Sequence, residues 1–375
     1  MTIIIAADKF KGSLSAKEVC EALKKGLEKA SAIFHIICKP MSDGGDGLTE
    51  VLAEYLQYDL QFSKVQDPLG REVKAGWLLS ADGKTAIIEM AKASGLQLLK
   101  PGEANPSKTS SFGTGQLIKE AINAGVSKIV LGIGGSATND GGIGIAAALG
   151  YVFLDENGYD LPPNGGSLAA MRKIDRSYAI DASGIDIQVA ADVKNPLLGP
   201  TGATRTYAAQ KGADTAMIEA LEKGMKNYND VIKKDFDVDV STVEGAGAAG
   251  GMGAGCLVFL QAKIVSGIEL VMESAQLEAS IKKADVVITG EGKLDDQSLK
   301  GKVVSGVAAL AKKYAKPLFV ICGSNTLSHA NAAKLNATKI FCIQKNGMSL
   351  ERAIQNAALL IQETAFEIGK SLQQF

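Results

Sequence analysis

Histidine is nearly missing from this chain: 375 residues contain two, His35 in a strand-like run and His329 near Asn331. A Ser-His nucleophile or a His-based metal site therefore has little to draw on. The five cysteines (Cys20, Cys38, Cys256, Cys322, Cys342) are odd in number, widely spaced and set in apolar segments. They read as small buried hydrophobes rather than as a disulfide framework or zinc ligands. No apolar run approaches the roughly 18 residues that a bilayer span needs, so the chain reads as soluble and cytoplasmic, with no membrane partner. Neither charge dominates: 40 Lys plus Arg stand against 41 Asp plus Glu, net −1. That excludes a general nucleic-acid binder, which needs clustered, unbalanced cations. The common phosphate loop is absent as well. Gly83-Lys84-Thr85 resembles its end, but Leu78 stands where the earlier glycine is required, and no HRD or DFG kinase motif occurs.

What is present is a globular composition, 46% hydrophobic and 22% charged, in a length that suits two domains. Short β-rich runs recur at Ile3 to Ala7, Phe34 to Lys39, Lys128 to Ile133, Ile187 to Ala191, Asp285 to Thr289, Leu318 to Cys322 and Lys339 to Ile343. Helical spacing separates them, at Gln116 to Asn123, Thr215 to Tyr228, Ser298 to Lys313 and Leu350 to Lys370. Ser15 with Glu18 forms a capping box before an apolar face at Val19, Ala22, Leu23 and Leu27. Alternating β and α elements predict a doubly wound α/β fold. Residues 67 to 84 read instead as a turn and a meander, which could leave the main sheet.

Glycine is in excess, 42 of 375 against a usual level of about 7%, and the excess is clustered. Three fall in Asp43 to Gly47, seven between Gly132 and Gly150, and six between Gly245 and Gly255. The segment Gly132 to Gly142, after a good strand and before an Ala-rich helix, has the composition of a loop that holds phosphate through backbone N–H groups. Read strictly, Gly132, Gly134 and Ala137 also match a dinucleotide fingerprint with Asp155 as its distal acid, which makes an NAD-dependent oxidoreductase the rival reading. Asp140 counts against it, because a bare carboxylate repels a pyrophosphate and a bound Mg²⁺ reverses that repulsion.

Acids recur where apolar strands end: Asp8, Asp43 and Asp46, Asp192, then Glu291 and Asp295. Open α/β sheets bind ligands at that edge, and carboxylates there can hold Mg²⁺ or accept a hydroxyl proton. Lys9, Lys11 and Ser13 beside Asp8 suit an anionic substrate.

Taken in order, these motifs resemble the bacterial glycerate kinase family over nearly the whole chain. The landmarks are DKFKGSLSA from Asp8, MSDGGDG from Met41, DPLGR from Asp67, FGTGQLI from Phe112, GGSATNDGG from Gly134, ADVKNPLLGPTGA from Ala191, QKGA from Gln210, GAGAAGGMGAG from Gly245 and TGEGKLDDQSLKGK from Thr289. The family usually shows Asp-Ser-Phe at Asp8-Lys9-Phe10 and Gly-Pro-Gln-Lys at Ala208 to Lys211. The resemblance implies ATP-dependent phosphorylation of D-glycerate, with Mg²⁺, in a flavodoxin-like doubly wound parallel-sheet domain carrying an inserted mixed α/β domain, the active site in the cleft between them. The expected division is residues 1–64 plus 282–375, with 65–281 inserted; the protein is expected to be a monomer or homodimer.

Roles are expected as follows. Gly134, Gly135, Ser136, Thr138, Asn139 and Gly292 bind the nucleotide phosphates. Asp140, Asp46, Glu291 and Asp295 face the metal, and Lys9, Lys11, Ser13 and Arg71 face glycerate. Lys293 stabilises the moving phosphoryl group. Asp192 is the favoured base and Asp43 the second. Two alternatives to a glycerate kinase besides the oxidoreductase are a kinase of another small hydroxy acid and a non-catalytic sensor, which would bind without turnover.

Overall fold

The structure is a computed structural model and describes residues 1–44, 47–299, 301–345 and 347–373. Thirteen strands are numbered in chain order: β1 (Thr2–Ala7), β2 (His35–Cys38), β3 (Tyr58–Gln66), β4 (Glu72–Ser80), β5 (Thr85–Glu89), β6 (Lys128–Gly132), β7 (Val152–Leu154), β8 (Lys173–Asp175), β9 (Asp186–Ala190), β10 (Lys263–Val265), β11 (Val286–Leu294), β12 (Leu318–Asn325) and β13 (Lys339–Cys342). They divide between two compact units, one of residues 1–43, 50–56 and 266–375 and the other of 44–49 and 57–265.

The first unit is built on an all-parallel sheet in the order β13-β12-β11-β1-β2. Counting only its own strands, this is the flavodoxin-like order 2-1-3-4-5, whose switch point lies between β1 and β11. Ile3, Ile4 and Ile5 and Val287 and Ile288 are fully buried, as strands covered on both faces require. The helix Ala16–Ala30 starts where expected: Ser15 accepts from the Glu18 N–H, and Glu18 accepts from the Ser15 N–H at 2.8 Å. It packs on the helix Ala357–Leu372 around Leu23, Leu27, Ile361, Ala365 and Ile368.

The second unit holds a six-stranded mixed sheet, β10-β9-β6-β5-β4-β3. β5, β6, β9 and β10 run parallel; β4 and β3 form the antiparallel meander at its edge. A separate antiparallel pair, β7 and β8, stands outside both sheets.

The domain limits expected at 64/65 and 281/282 are corrected by pairing. β3 lies antiparallel to β4 over its full length, from Tyr58–Ser80 to Gln66–Glu72, so its hydrogen bonds assign it to the second unit. Helices Gly267–Ser274 and Leu277–Lys283 belong to the first unit and pack on its helix Val303–Lys313. Residues 108–150 lie in the second unit, where β6 is central to the sheet. Cys342 is exposed, against the expectation that all five cysteines are buried.

Candidate functional site

In the first unit, chemistry gathers at the carboxyl ends of β1 and β11, the switch point. Asp8 follows β1 directly, is 9% exposed, and accepts from the Lys9 N–H at 2.7 Å. Burial and the neighbouring Asp43 carboxylate push Asp8 up to about 7. Register places Gly290 beside Ala7 and Glu291 beside Cys322. Burial raises Glu291, whose Oε1 is enclosed with no hydrogen-bond partner among the described residues. The Lys302 ammonium sits 3.5 Å from Asp43; burial alone would lower it, but Asp43 and Glu291 outweigh that and the net shift is upward. Gly292 is required by close approach: a Cβ there would lie 3.2 Å from Phe10 Cα and Lys11 N, so glycine lets the Asp8 loop rest on β11.

Among the described residues, no three His, Cys, Asp or Glu side chains form a ready metal cage. Mg²⁺ needs only one or two carboxylates when phosphates and water complete its octahedron. Asp8 and Glu291, with Asp43 beside them on Lys302, offer the one or two carboxylate oxygens that this demand requires.

In the second unit, β6 delivers the glycine loop. Gly134 is half-buried and Gly135 exposed, with Gly135 at φ +69°, while Thr138, Asn139 and Asp140 are completely buried. The loop thus divides into an outward tip at Gly134 and Gly135, with Ser136 buried directly behind it, and a buried root, 137–142. Separate partners hold the root. Thr109 Oγ1 donates to the Ala137 carbonyl at 2.8 Å, Lys211 Nζ to the Thr138 carbonyl at 2.6 Å, and Asn139 Nδ2 to Thr204 Oγ1 at 3.1 Å. Asp140 accepts from Ser111 N, Ser111 Oγ and Gly142 N, and Tyr228 OH donates to the Gly141 carbonyl at 2.6 Å.

Several expected contacts are corrected by these bonds. Asp140 is not an exposed metal ligand: burial raises its pKa, its oxygens are taken by Ser111 and Gly142, and it fixes the loop. Neither the Thr138 nor the Asn139 side chain reaches solvent: Asn139 Nδ2 bonds to Thr204, and the Thr138 hydroxyl is buried with no hydrogen-bond partner among the described residues. Arg71 is committed to Asp67 at 2.6 Å and, bidentately, to Glu103 at 2.8 and 3.1 Å, so it braces a turn instead of awaiting a carboxylate. Ser13 donates to the Ile354 carbonyl at 2.9 Å. Asp295 accepts from the Gln297 N–H and pairs with Lys293 at 3.2 Å. Lys293 is otherwise exposed on β11, as Lys11 is on the Asp8 loop; Lys9 is half-buried there. Asp192 is half-buried just past β9. Asp46 lies outside the described residues.

The oxidoreductase reading loses its distal acid. Asp155 Oδ1 accepts from Asn157 N and Tyr159 N in a tight turn, and the strand before it pairs with β8, away from the sheet that carries β6. Lys211 and Lys302 were not singled out by sequence reasoning. Each lay inside a quoted motif, but neither stood out by residue type.

Comparison with known proteins gives the context. The sequence matches the profile of the Glycerate kinase family over residues 3–373. It is 44% identical over 364 residues to the Glycerate 2-kinase of Escherichia coli K12, covering 95% of this chain and 94% of that one. The Glycerate kinase of Halalkalibacterium halodurans is 42% identical over 371 residues, 98% of this chain and 97% of that one. A crystal structure from Salmonella typhimurium LT2, designated glycerate kinase 2, superposes with a TM-score of 0.86 at 41% identity over 100% of this chain and 98% of that one. No helix among the described residues is long and apolar enough to cross a membrane. A family profile matched almost end to end, together with full-length relatives above 40% identity, establishes that the chain belongs to the glycerate kinase family, a family of phosphotransferases.

Proposed function

We propose that the protein transfers the terminal phosphoryl group of ATP to the 2-hydroxyl of D-glycerate, giving 2-phosphoglycerate and ADP. The observation that carries this reading is the glycine tip of residues 134–136 on a rigidly bonded root, in a chain 44% identical to a named glycerate 2-kinase. Phosphoryl transfer asks for positioning and charge neutralisation more than covalent chemistry. Gly134, Gly135 and Ser136 supply amide and hydroxyl donors for the nucleotide phosphates. Asp8, Asp43 and Glu291 would hold Mg²⁺, which neutralises phosphate charge when bound. Lys9 and Lys11 take the glycerate carboxylate, Arg71 being otherwise engaged. Lys293 stabilises the transferring group. Asp192 takes the alcohol proton, with Asp43 as second candidate. We place the enzyme in the cytoplasm as a monomer or homodimer.

The test is ADP release from D-glycerate and ATP, with and without Mg²⁺, followed by phosphorus NMR of the product. Metal-dependent turnover to 2-phosphoglycerate is expected, and Asp192→Asn should lower kcat by at least about 10²-fold in a folded protein. Bound ATP without turnover would sink the acceptor, and no ATP binding would sink the reading. An unchanged kcat in Asp192→Asn would remove that residue as base.

A further inference from the structure

Lys211 is 1% exposed, at the end of a short turn of helix closed by Gly212 at φ +95°. Among the described residues its ammonium donates one hydrogen bond, to the Thr138 carbonyl. Burying an ammonium costs several kcal/mol, whereas a neutral carbonyl needs only a neutral donor. The neighbouring bonds make the point: Thr109, Thr204 and Tyr228 serve residues 137, 139 and 141 with hydroxyls or an amide partner. Asp140, the facing carboxylate, already has three hydrogen bonds. Burial lowers Lys211 to about 7 while Asp140 opposes the shift, so the pair alone does not repay the burial. An anion above the tip would favour the ammonium form through the low-dielectric interior.

We propose that Lys211 is a positioning residue for the phosphoryl donor: by gripping the Thr138 carbonyl it sets the pose of the Gly134–Ser136 tip, and its buried charge favours a polyphosphate there. The inference rests on the reading of this loop as the donor site.

The test measures KM for ATP and for D-glycerate in Lys211→Met, which keeps the volume and removes the charge. KM for ATP should rise at least about 10-fold while KM for D-glycerate stays within about 2-fold. Lys211→Gln, still able to donate to a carbonyl, should fall between. Either variant, folded by circular dichroism and with the wild-type KM for ATP, overturns the proposal, as does an equal rise in both KM values. If neither folds, the lysine serves the fold alone and the proposal falls. Gly135→Asp separates the two readings: a negative tip should raise KM for ATP, and if it does not, the loop assignment itself fails; if it does while Lys211→Met is normal, only the role of Lys211 fails.

Discussion

Asp8 shows how a single buried residue makes stability depend on pH. Its carboxyl is held near 7 by burial and by Asp43, against about 3.9 in an unfolded chain. Below pH 4 both states carry the proton and the group costs nothing. As pH rises toward 7 the unfolded chain releases its proton while the folded one keeps it, so stability is progressively lost, and above 7 the penalty is complete. Asp8→Asn should therefore be more stable than the wild type at pH 7.5, on the order of 1–4 kcal/mol, and nearly equal to it at pH 4. Urea midpoints at the two pH values check this, and a difference independent of pH would refute it. The same substitution removes a proposed metal-facing oxygen, so kcat should fall while stability rises, the exchange expected of a strained site.

At the scale of the element, the glycine loop after β6 depends on a segment about a hundred residues away. Ala249, Gly250 and Gly251 all have positive φ, at 54°, 74° and 86°. A Cβ on Gly250 would run into the Thr138 carbonyl oxygen and lie 2.8 Å from Asn139 Cα and 3.0 Å from Lys211 Nζ. Gly12, at φ +76°, has nothing within 4 Å of such a Cβ. Gly12→Ala should cost only the left-handed strain, about 1–2 kcal/mol. Gly250→Ala adds a clash inside the buried root and should cost more than about 3 kcal/mol, seen as a larger drop in Tm with a raised KM for ATP. Equal losses would mean that the root tolerates displacement.

This dependence also explains what the sequence could tell. β1, β6, β9 and β12 were each legible to within a few residues because burial writes an apolar run, and the Ser15–Glu18 box is a local signal. The tip at 134–136 was legible from its glycines. The burial of Thr138, Asn139 and Asp140 was not, because residues 204, 211, 228 and 250 cover them from distant positions. Arg71 was misread although its partner Asp67 is four residues away, since a cation in a turn looks alike whether it waits for a ligand or braces the backbone.

For the whole molecule, two separate cores set the order of events on unfolding. The first unit's core joins Ile3, Ile5 and Leu23 to Ile288, Ile321 and Ile361, so it closes only when both ends of the chain meet across an interval of more than 200 residues, at an entropic cost that grows with loop length. The second unit's cores are drawn from Val65 to Ala262 without interruption. Two transitions are expected in place of a single two-state one. The single tryptophan makes them separable: Trp77 is 5% exposed in β4, so its fluorescence follows the second unit alone, while far-ultraviolet circular dichroism follows both. MgATP at about 100 times its Kd should stabilise the unit it binds by about 2.7 kcal/mol. If the glycine loop is the donor site, the Trp77 transition should move up with MgATP by more than the remaining dichroic one. Coincident melts with and without nucleotide would show that the chain unfolds as one cooperative body, whereas a shift confined to the dichroic transition would place the nucleotide in the first unit.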